Sequence, residues 1–353
     1  MRQEETRVLD LVGKRNWFYL FSFLLLLPGI ISLLIPPSLK AGIDFTSGST
    51  FTVRFEQSVT KSDLQSAMSD LDHSEARIQG TGDNEFVVHT KELRGAATAP
   101  PVGPAPPSEK DAIEDALRVQ FGNMSDALGN ATATQGFLEF SSISATLSKE
   151  IARNAAIAVA VASGAIFLYL WWSFRLVPRA FRFGVAAVIA LLHDVLFVVG
   201  AFSILGKTLD YEINAFFITA ILTVIGFSVH DSIVVFDRIR ETVTRGEGRN
   251  FSEMVNNSLL QTLGRSLNTS LTLVFAIVTL LLIGGDSIRE FLVAMLLGTV
   301  TGVYSSVFVA SQILVSWEEG DVPRLLRKLT GRPARAAEHP PQFEPQEALP
   351  AEA

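Results

Sequence analysis

The sequence lacks cysteine and is poor in charged residues, and both absences limit what the chain can be. With no cysteine among 353 residues, the chain cannot form disulfides, use a thiolate nucleophile or build a zinc–thiolate site. Charged residues make up only 18% of the sequence, whereas soluble domains carry about 25%. Hydrophobic residues make up 48%, and the mean hydropathy is +0.33. These values exclude a disordered chain and indicate a membrane protein.

The sequence also lacks the motifs of common enzymes. It contains no His-Glu-x-x-His, no Gly-x-Ser-x-Gly and no Gly-x-x-x-x-Gly-Lys-Ser/Thr loop, so neither proteolysis nor ATP hydrolysis has a chemical basis. We therefore expect no catalytic residue, no metal site and no cofactor. A net charge of −7 argues against a nucleic-acid partner. What remains is a membrane protein without enzyme activity.

Six apolar runs approach the length of about 20 residues that a membrane-spanning helix needs. They cover residues 16–36, 150–173, 183–205, 213–236, 259–283 and 291–316. The first run is long for the apolar part of a signal peptide, so we predict an uncleaved anchor rather than a removed leader. The sequence thus predicts transmembrane helix 1 at 16–36 and helices 2 to 6 within 149–316.

Basic residues in the short connections predict the orientation of these helices, because such residues stay on the cytoplasmic side. The basic residues in question are Arg2, Arg7, Lys14 and Arg15 before the first run, Arg175, Arg179 and Arg182 between the second and third, and Arg238, Arg240, Arg245 and Arg249 between the fourth and fifth. Every alternate connection agrees. Both termini, residues 1–15 and the tail 317–353, are therefore predicted to be cytoplasmic.

The polar segment 37–148 must then form a globular domain outside the cytoplasm. Its patterns predict an α+β fold, with strands at 50–55, 85–89 and 136–141 and helices at 60–71 and 108–121. This alternation resembles the split βαβ, or ferredoxin-like, arrangement. An Ala/Pro/Gly-rich linker covers 96–107, and the Pro/Ala/Glu-rich sequence from about 330 predicts a disordered end.

Ionisable residues inside the apolar runs are the candidates for function, because each costs several kcal/mol at depth in a bilayer. Asp231 and Arg265 are predicted at similar depths in helices 4 and 5, where they can form an ion pair. The pair can act as a proton switch, since movement of the arginine changes the proton affinity of the carboxylate. Alternatively, it is a static structural pair, or both side chains reach the interface. His230, beside Asp231, can relay a proton.

A second intramembrane pair, His193 and Asp194, lies near the middle of helix 3. Adjacent residues on a helix point about 100° apart, so we expect the two to serve different interfaces. Interhelical hydrogen bonding and a role in the proton path both remain open. The spacing matches no zinc motif.

Small residues recur at every fourth position in two of the predicted helices. They are Ala156, Ala160 and Gly164 in helix 2, and Gly298, Gly302 and Ser306 in helix 6. This spacing predicts close helix packing.

Several segments of the sequence resemble the SecF family of bacterial protein-export membrane subunits. The run from Thr223 to Glu241, TVIGFSVHDSIVVFDRIRE, is similar to the hallmark segment of that family. Leu192-His193-Asp194 resembles its helix-3 motif, and Arg265 occupies the family's place in helix 5. The segment after helix 1 resembles a Gly-x-Asp-Phe-Thr-Gly-Gly motif through Gly42, Asp44, Phe45 and Gly48. Two positions differ, with Ser47 where the family usually has glycine and His230 where asparagine is more frequent.

The resemblance, which covers roughly residues 10–318, implies a half-transporter similar to the RND superfamily. It implies a heterodimer with SecD beside the SecYEG channel in the bacterial inner membrane, driven by the proton motive force and acting on an exported polypeptide. Asp231 would take the proton and Arg265 would be its charge partner. Two other functions remain open. One is a standalone proton-coupled exporter of lipid or small molecules, and the other is an assembly factor in which the charged pair fixes helix register.

Overall fold

The computed structural model describes residues 9–82, 84–94, 108–124, 137–175, 180–246, 248, 250–285 and 288–320. The linker predicted at 96–107 and the disordered end predicted from about 330 lie outside these residues. The chain divides into two compact units. A helical unit takes its described residues from Met1–Ser38, Ala158–Leu205 and Phe216–Ala353, and an α+β unit takes its own from Leu39–Ile157 and Gly206–Ala215.

The elements follow one another in an order that matches the predicted class. In chain order they are α1 (Arg15–Leu34), α2 (Ile43–Thr46), β1 (Gly48–Arg54), α3 (Lys61–Asp70), β2 (Arg77–Gly82), β3 (Glu85–Thr90), α4 (Glu109–Phe121), β4 (Glu139–Ile143), α5 (Ala145–Ser173), α6 (Phe181–Thr208), α7 (Ala215–Arg245), α8 (Phe251–Ile283), α9 (Arg289–Ser305), a π-helical turn (Ser306–Ala310) and α10 (Ser311–Glu318). Six helices of the described chain are long and apolar enough to span a membrane, the last running from Arg289 to Glu318 through the π turn. The six predicted spans are confirmed.

The α+β unit contains a four-stranded antiparallel sheet with the strand order β2-β3-β1-β4. This order and the βαββαβ succession are those of a ferredoxin-like fold, so the predicted fold class is confirmed. Thr60 and Ser108 each close a capping box at the start of α3 and α4, which explains why these helices begin where the sequence predicts. The sequence did not predict β2, because its Arg-Ile-Gln-Gly-Thr-Gly run is poor in strand-forming residues and has a register shift between Gly80 and Gly82.

Phe51 lies at the centre of the apolar core of the α+β unit. Its side chain is fully buried in β1 and stacks on Phe137, with ring centroids 4.0 Å apart. We expect Phe51→Ala to destabilise the unit by about 3–5 kcal/mol, because truncation of a buried aromatic loses apolar burial and leaves a cavity. Hydrogen exchange of the β1 amides in the full-length chain measures this effect. Val119→Ala on α4 is the control, since Val119 is 89% exposed and should give unchanged protection. Equal exchange in both variants would contradict the assignment of this core.

Two glycines bring α1 and α6 into backbone contact within the helical unit. A Cβ atom added to Gly200 would lie 2.8 Å from the Cα of Gly29, and the reverse substitution gives the same distance. One turn further along, the hydroxyl groups of Ser32 and Ser203 are 2.8 Å apart and buried. The crossing therefore combines close backbone approach with an interhelical hydrogen bond, as membrane helices commonly do.

Candidate functional site

Asp231 is a buried carboxylate on α7. Asp231 is only 2% exposed, and the hydroxyl oxygen of Ser270 on α8 lies 3.5 Å from its Oδ2. A hydrogen bond of that length is weak. An ionisable group at such depth with little polar compensation is expensive to keep in a membrane protein, which makes it a candidate for function rather than for stability.

The structure does not contain the predicted ion pair between Asp231 and Arg265. Both residues lie in the described part of the chain, yet Arg265 is exposed and is not among the groups that act on the Asp231 carboxylate. The reason is the rotation of α8. Its buried serine and threonine stripe comprises Ser258, Thr262, Ser266 and Ser270. Arg265 immediately precedes Ser266 and therefore points about 100° away from that stripe. The depth of a residue in the membrane can be estimated from the sequence, whereas the face with which a helix packs against its neighbours cannot.

His230 is exposed as well, on a polar stripe of α7 that is matched by one on α8. We call these residues together the open polar face. It consists of Thr223, His230 and Asp237 on α7 and of Gln261, Arg265, Asn268 and Thr272 on α8, all exposed and at spacings of three, four or seven residues. At its Asp237 end, Arg238 donates a hydrogen bond to Gln261 across the two helices. Exposed charge on membrane helices indicates contact with something other than lipid tails.

Asp194 lies at the centre of a second polar cluster, formed by three helices. Asp194 is fully buried on α6. Its Oδ2 accepts hydrogen bonds from the hydroxyl groups of Ser228 on α7 at 2.7 Å and of Ser305 on α9 at 2.6 Å. His193 Nδ1 lies 3.2 Å from the other oxygen, Oδ1. His193 and Asp194 therefore contact each other, contrary to the expectation that the two serve different interfaces. Nothing in the apolar pattern distinguishes Ser228, Ser270 and Ser305, and sequence reasoning missed all three.

The two groups of small residues differ in what they contact. Gly298 and Gly302 on α9 face α7, where an added Cβ atom would lie 2.3 Å from a methyl carbon of Val224 and 3.1 Å from the Cβ of Ser228, respectively. This close approach brings α9 near enough for Ser305 to reach Asp194. On α5, by contrast, Ala156, Ala160 and Gly164 are exposed, and Gly164 has no heavy atom within 4 Å of an added Cβ. The structure therefore does not place that stripe in helix packing within the described chain.

The segment after α1 is held by backbone and capping contacts. Asp44 Oδ2 accepts a hydrogen bond of 2.6 Å from the backbone N–H of Ala215, the first residue of α7, and so caps that helix. Gly48 has a φ of +131°, and a Cβ atom there would lie 2.4 Å from the carbonyl oxygen of Thr90, so glycine is required. Ser47 has a positive φ of 65°, in the left-handed region that favours glycine. Gly42 donates its N–H to Ile213 at 2.9 Å, and Phe45 is half-buried.

Ionic contacts tie the same segment to the α6–α7 connection. Lys40 Nζ lies 3.0 Å from Asp210 Oδ1 and 3.6 Å from Glu212 Oε1. The hydrogen bond from Lys40 holds the pKa of Asp210 below its usual value. Burial lowers the pKa of His89, and the carboxylate of Glu212 opposes this effect. Within the described residues, no group of three or more His, Asp or Glu side chains is positioned to hold a metal ion.

Comparison with known proteins gives consistent matches over most of the chain. Residues 124–320 match the family model of the protein export membrane protein SecD/SecF, C-terminal, and residues 42–59 match the SecD/SecF GG motif. The chain is 43% identical to the protein translocase subunit SecF of Thermobaculum terrenum, over 91% of this chain and 98% of that one. It is 36% identical to SecF of Anaerolinea thermophila, over 89% and 96% of the two chains.

The solved structures agree with the sequence relatives. A crystal structure of SecDF from Thermus thermophilus, described as a translocon-associated membrane protein, superposes with a TM-score of 0.72 at 30% identity over 90% of this chain. The present chain spans only 40% of that protein and 38% of SecDF from Bacillus subtilis, to which it is 36% identical over 88% of its own length. The buried Asp231, the Asp44-capped α7 and the ferredoxin-like unit thus occur in a chain that belongs to the SecD/SecF family of protein-export membrane proteins, as a translocase subunit of the SecF type.

Proposed function

We propose that this chain forms a heterodimer with SecD and uses the proton motive force to promote protein movement through the SecYEG channel. The observation that carries the proposal is the burial of Asp231 in α7, where the Ser270 hydroxyl at 3.5 Å is its one hydrogen-bond partner among the described residues. A carboxylate in this setting can exist neutral or charged, and the two states favour different surroundings. Proton binding and release at Asp231 therefore change which helix arrangement is stable.

The open polar face favours the presence of a partner chain that covers it. Arg265 and His230 are exposed there, and lipid tails cannot compensate a guanidinium group. The SecDF proteins are more than twice as long as this chain, and the additional part is the natural candidate to cover such a face. In this arrangement Arg265 approaches Asp231 or a partner carboxylate only when the helices move, which gives the proton switch its two states.

The proton motive force supplies enough free energy to shift the equilibrium between two helix arrangements. One proton that crosses the membrane yields about 2.3 kcal/mol per 100 mV, and each unit of pH difference adds about 1.36 kcal/mol. This is enough to bias a two-state element by more than tenfold. The α+β unit, on the outer side of the inner membrane, would then hold the exported polypeptide while both termini stay cytoplasmic, in agreement with the basic residues Arg182, Arg238 and Arg245.

Single-cysteine crosslinking tests the partner directly, because the chain has no cysteine of its own. We expect Asn268→Cys and Thr272→Cys on the open polar face to crosslink to SecD in native membranes. Leu24→Cys on α1 is the control, since Leu24 is an exposed apolar side chain outside that face, and it should give no SecD product. Crosslinks between two copies of this chain, with none to SecD, would instead support a standalone exporter and overturn the proposed heterodimer.

A further inference from the structure

We propose that His193 is a second proton-binding site in the membrane helices, with Nε2 as the proton acceptor and Asp194 as the group that stabilises the imidazolium. The inference deepens the proposed function and rests on it only for the source of the proton. The hydrogen bonds of this site do not include Asp231, which contacts Ser270 and lies one turn beyond Ser228 on α7 as the nearest further carboxylate on that face. The site lies where α6, α7 and α9 meet, around the carboxylate of Asp194.

The hydrogen bonds to Asp194 show which of its oxygen atoms faces the histidine. The hydroxyl groups of Ser228 and Ser305 both donate to Oδ2, at 2.7 and 2.6 Å. Two such short hydrogen bonds to one oxygen favour the ionised form of the carboxylate. The remaining oxygen, Oδ1, lies 3.2 Å from His193 Nδ1. Because an ionised carboxylate only accepts, the proton of the neutral imidazole sits on Nδ1.

This tautomer leaves a lone pair on Nε2, and nothing in the described chain uses it. His193 is 7% exposed, and its Nε2 is buried without a hydrogen-bond partner among the described residues. Most buried polar side-chain atoms are paired, so an exception calls for an explanation such as a chemical role. A histidine whose Nδ1–H is fixed by a carboxylate and whose Nε2 is vacant has the arrangement of a general base.

Among the side chains around the His193 ring, Asp194 is the one whose charge can stabilise the imidazolium. It is the adjacent residue on α6. From α9, the ring of Tyr304 faces the imidazole at 6.1 Å between centroids, and its hydroxyl donates instead to the carbonyl of Phe18 on α1. From α7 and α9, the side chains of Ser228 and Ser305 are neutral. Within the described residues, no cation lies within ion-pair distance of Asp194 apart from His193 when it is protonated.

Protonation of Nε2 also has a structural consequence. The new N–H would be a buried donor without an acceptor, which disfavours the present packing of α6 against α9. The α9 helix is interrupted by the π-helical turn Ser306–Ala310 directly after Ser305, the residue that holds Asp194. Such turns are frequent at functional sites, because they permit local rearrangement of a helix. Proton binding at His193 is therefore coupled to the position of α9.

Nitrogen-15 NMR of histidine-labelled full-length chain in lipid bilayers tests the site, because the five histidines are few enough to resolve. His193→Gln assigns the signal by its loss. We expect the Nδ1–H tautomer at high pH and an imidazolium signal as the pH falls. In Asp194→Asn, the ratio of protonated to neutral His193 at a given pH should fall about tenfold or more. Asp237→Asn removes an exposed carboxylate from α7 and should leave the signal unchanged.

The outcomes separate this inference from the proposed function. An Nε2–H tautomer, or a His193 that stays neutral down to pH 4, would overturn the inference, and the unaltered chain alone decides this even if Asp194→Asn folds poorly. Gradient-driven export together with such a neutral His193 would leave the proposed function standing without the second site. A titrating His193 in a chain whose export ignores the proton gradient would support the site and overturn the proposed function.

Discussion

Replacing Asp231 by asparagine should abolish gradient-driven export while the protein still folds and assembles. Asparagine has nearly the same shape and can keep the contact with Ser270, whose hydroxyl donates its proton to the Ser266 carbonyl at 2.8 Å, but it cannot bind and release a proton. The driving force lost is about 2.3 kcal/mol per proton for each 100 mV, which corresponds to about a 50-fold bias between two states. We therefore expect at least a tenfold loss of the gradient-dependent rate.

The measurement is completion of translocation by a stalled secretory protein in inner-membrane vesicles, with and without a proton gradient. Glu241→Gln is a matched control, because Glu241 lies on the same helix but outside the open polar face and pairs with Arg245 at 2.7 Å. It should retain the gradient response. If Asp231→Asn also retains it at equal expression, the buried carboxylate has a structural role and the chain acts as an assembly factor rather than as part of a motor.

Replacing Gly200 by leucine should prevent α1 from packing against α6. Even the first side-chain carbon would lie 2.8 Å from the Cα of Gly29, and backbone atoms cannot move aside as the end of a flexible side chain can. Overpacking of a core typically costs about 1–3 kcal/mol, and contact with a backbone places this case at about 3 kcal/mol. The Ser32–Ser203 hydrogen bond at the same crossing should be lost as well.

Thermal unfolding and the yield of monodisperse protein in detergent measure this effect. Gly164→Leu is the matched control, because an added Cβ at Gly164 has no neighbour within 4 Å. We expect a clearly lower unfolding temperature and yield for Gly200→Leu and near-unaltered behaviour for Gly164→Leu. Similar values for both variants would show that α1 does not depend on the crossing at Gly29.

Much of the architecture could be predicted from sequence because it rests on local rules. Apolar runs of sufficient length gave the six spans. The starts of α3 and α4 followed from Thr60 and Ser108, whose side chains cap the helices within three residues. The strand β2 was not predicted, because its pairing with β3 compensates for a composition that does not favour a strand alone. That Asp231 and Asp194 lie within spanning helices was implied by their places in apolar runs, but their burial was not, since His230 and Arg265 lie in the same runs and are exposed.

The tertiary structure alone decided which side chains meet. Periodicity showed which residues share a stripe of a helix, but the rotation of each helix depends on its neighbours, so Arg265 is exposed while Ser270 faces Asp231. The glycine contact between α1 and α6 and the serines around Asp194 join residues more than 30 positions apart. The sequence thus determined that ionisable residues lie within the membrane helices. Their partners were decided by packing, because hydrogen bonds between helices form only after each helix has chosen the face that it buries.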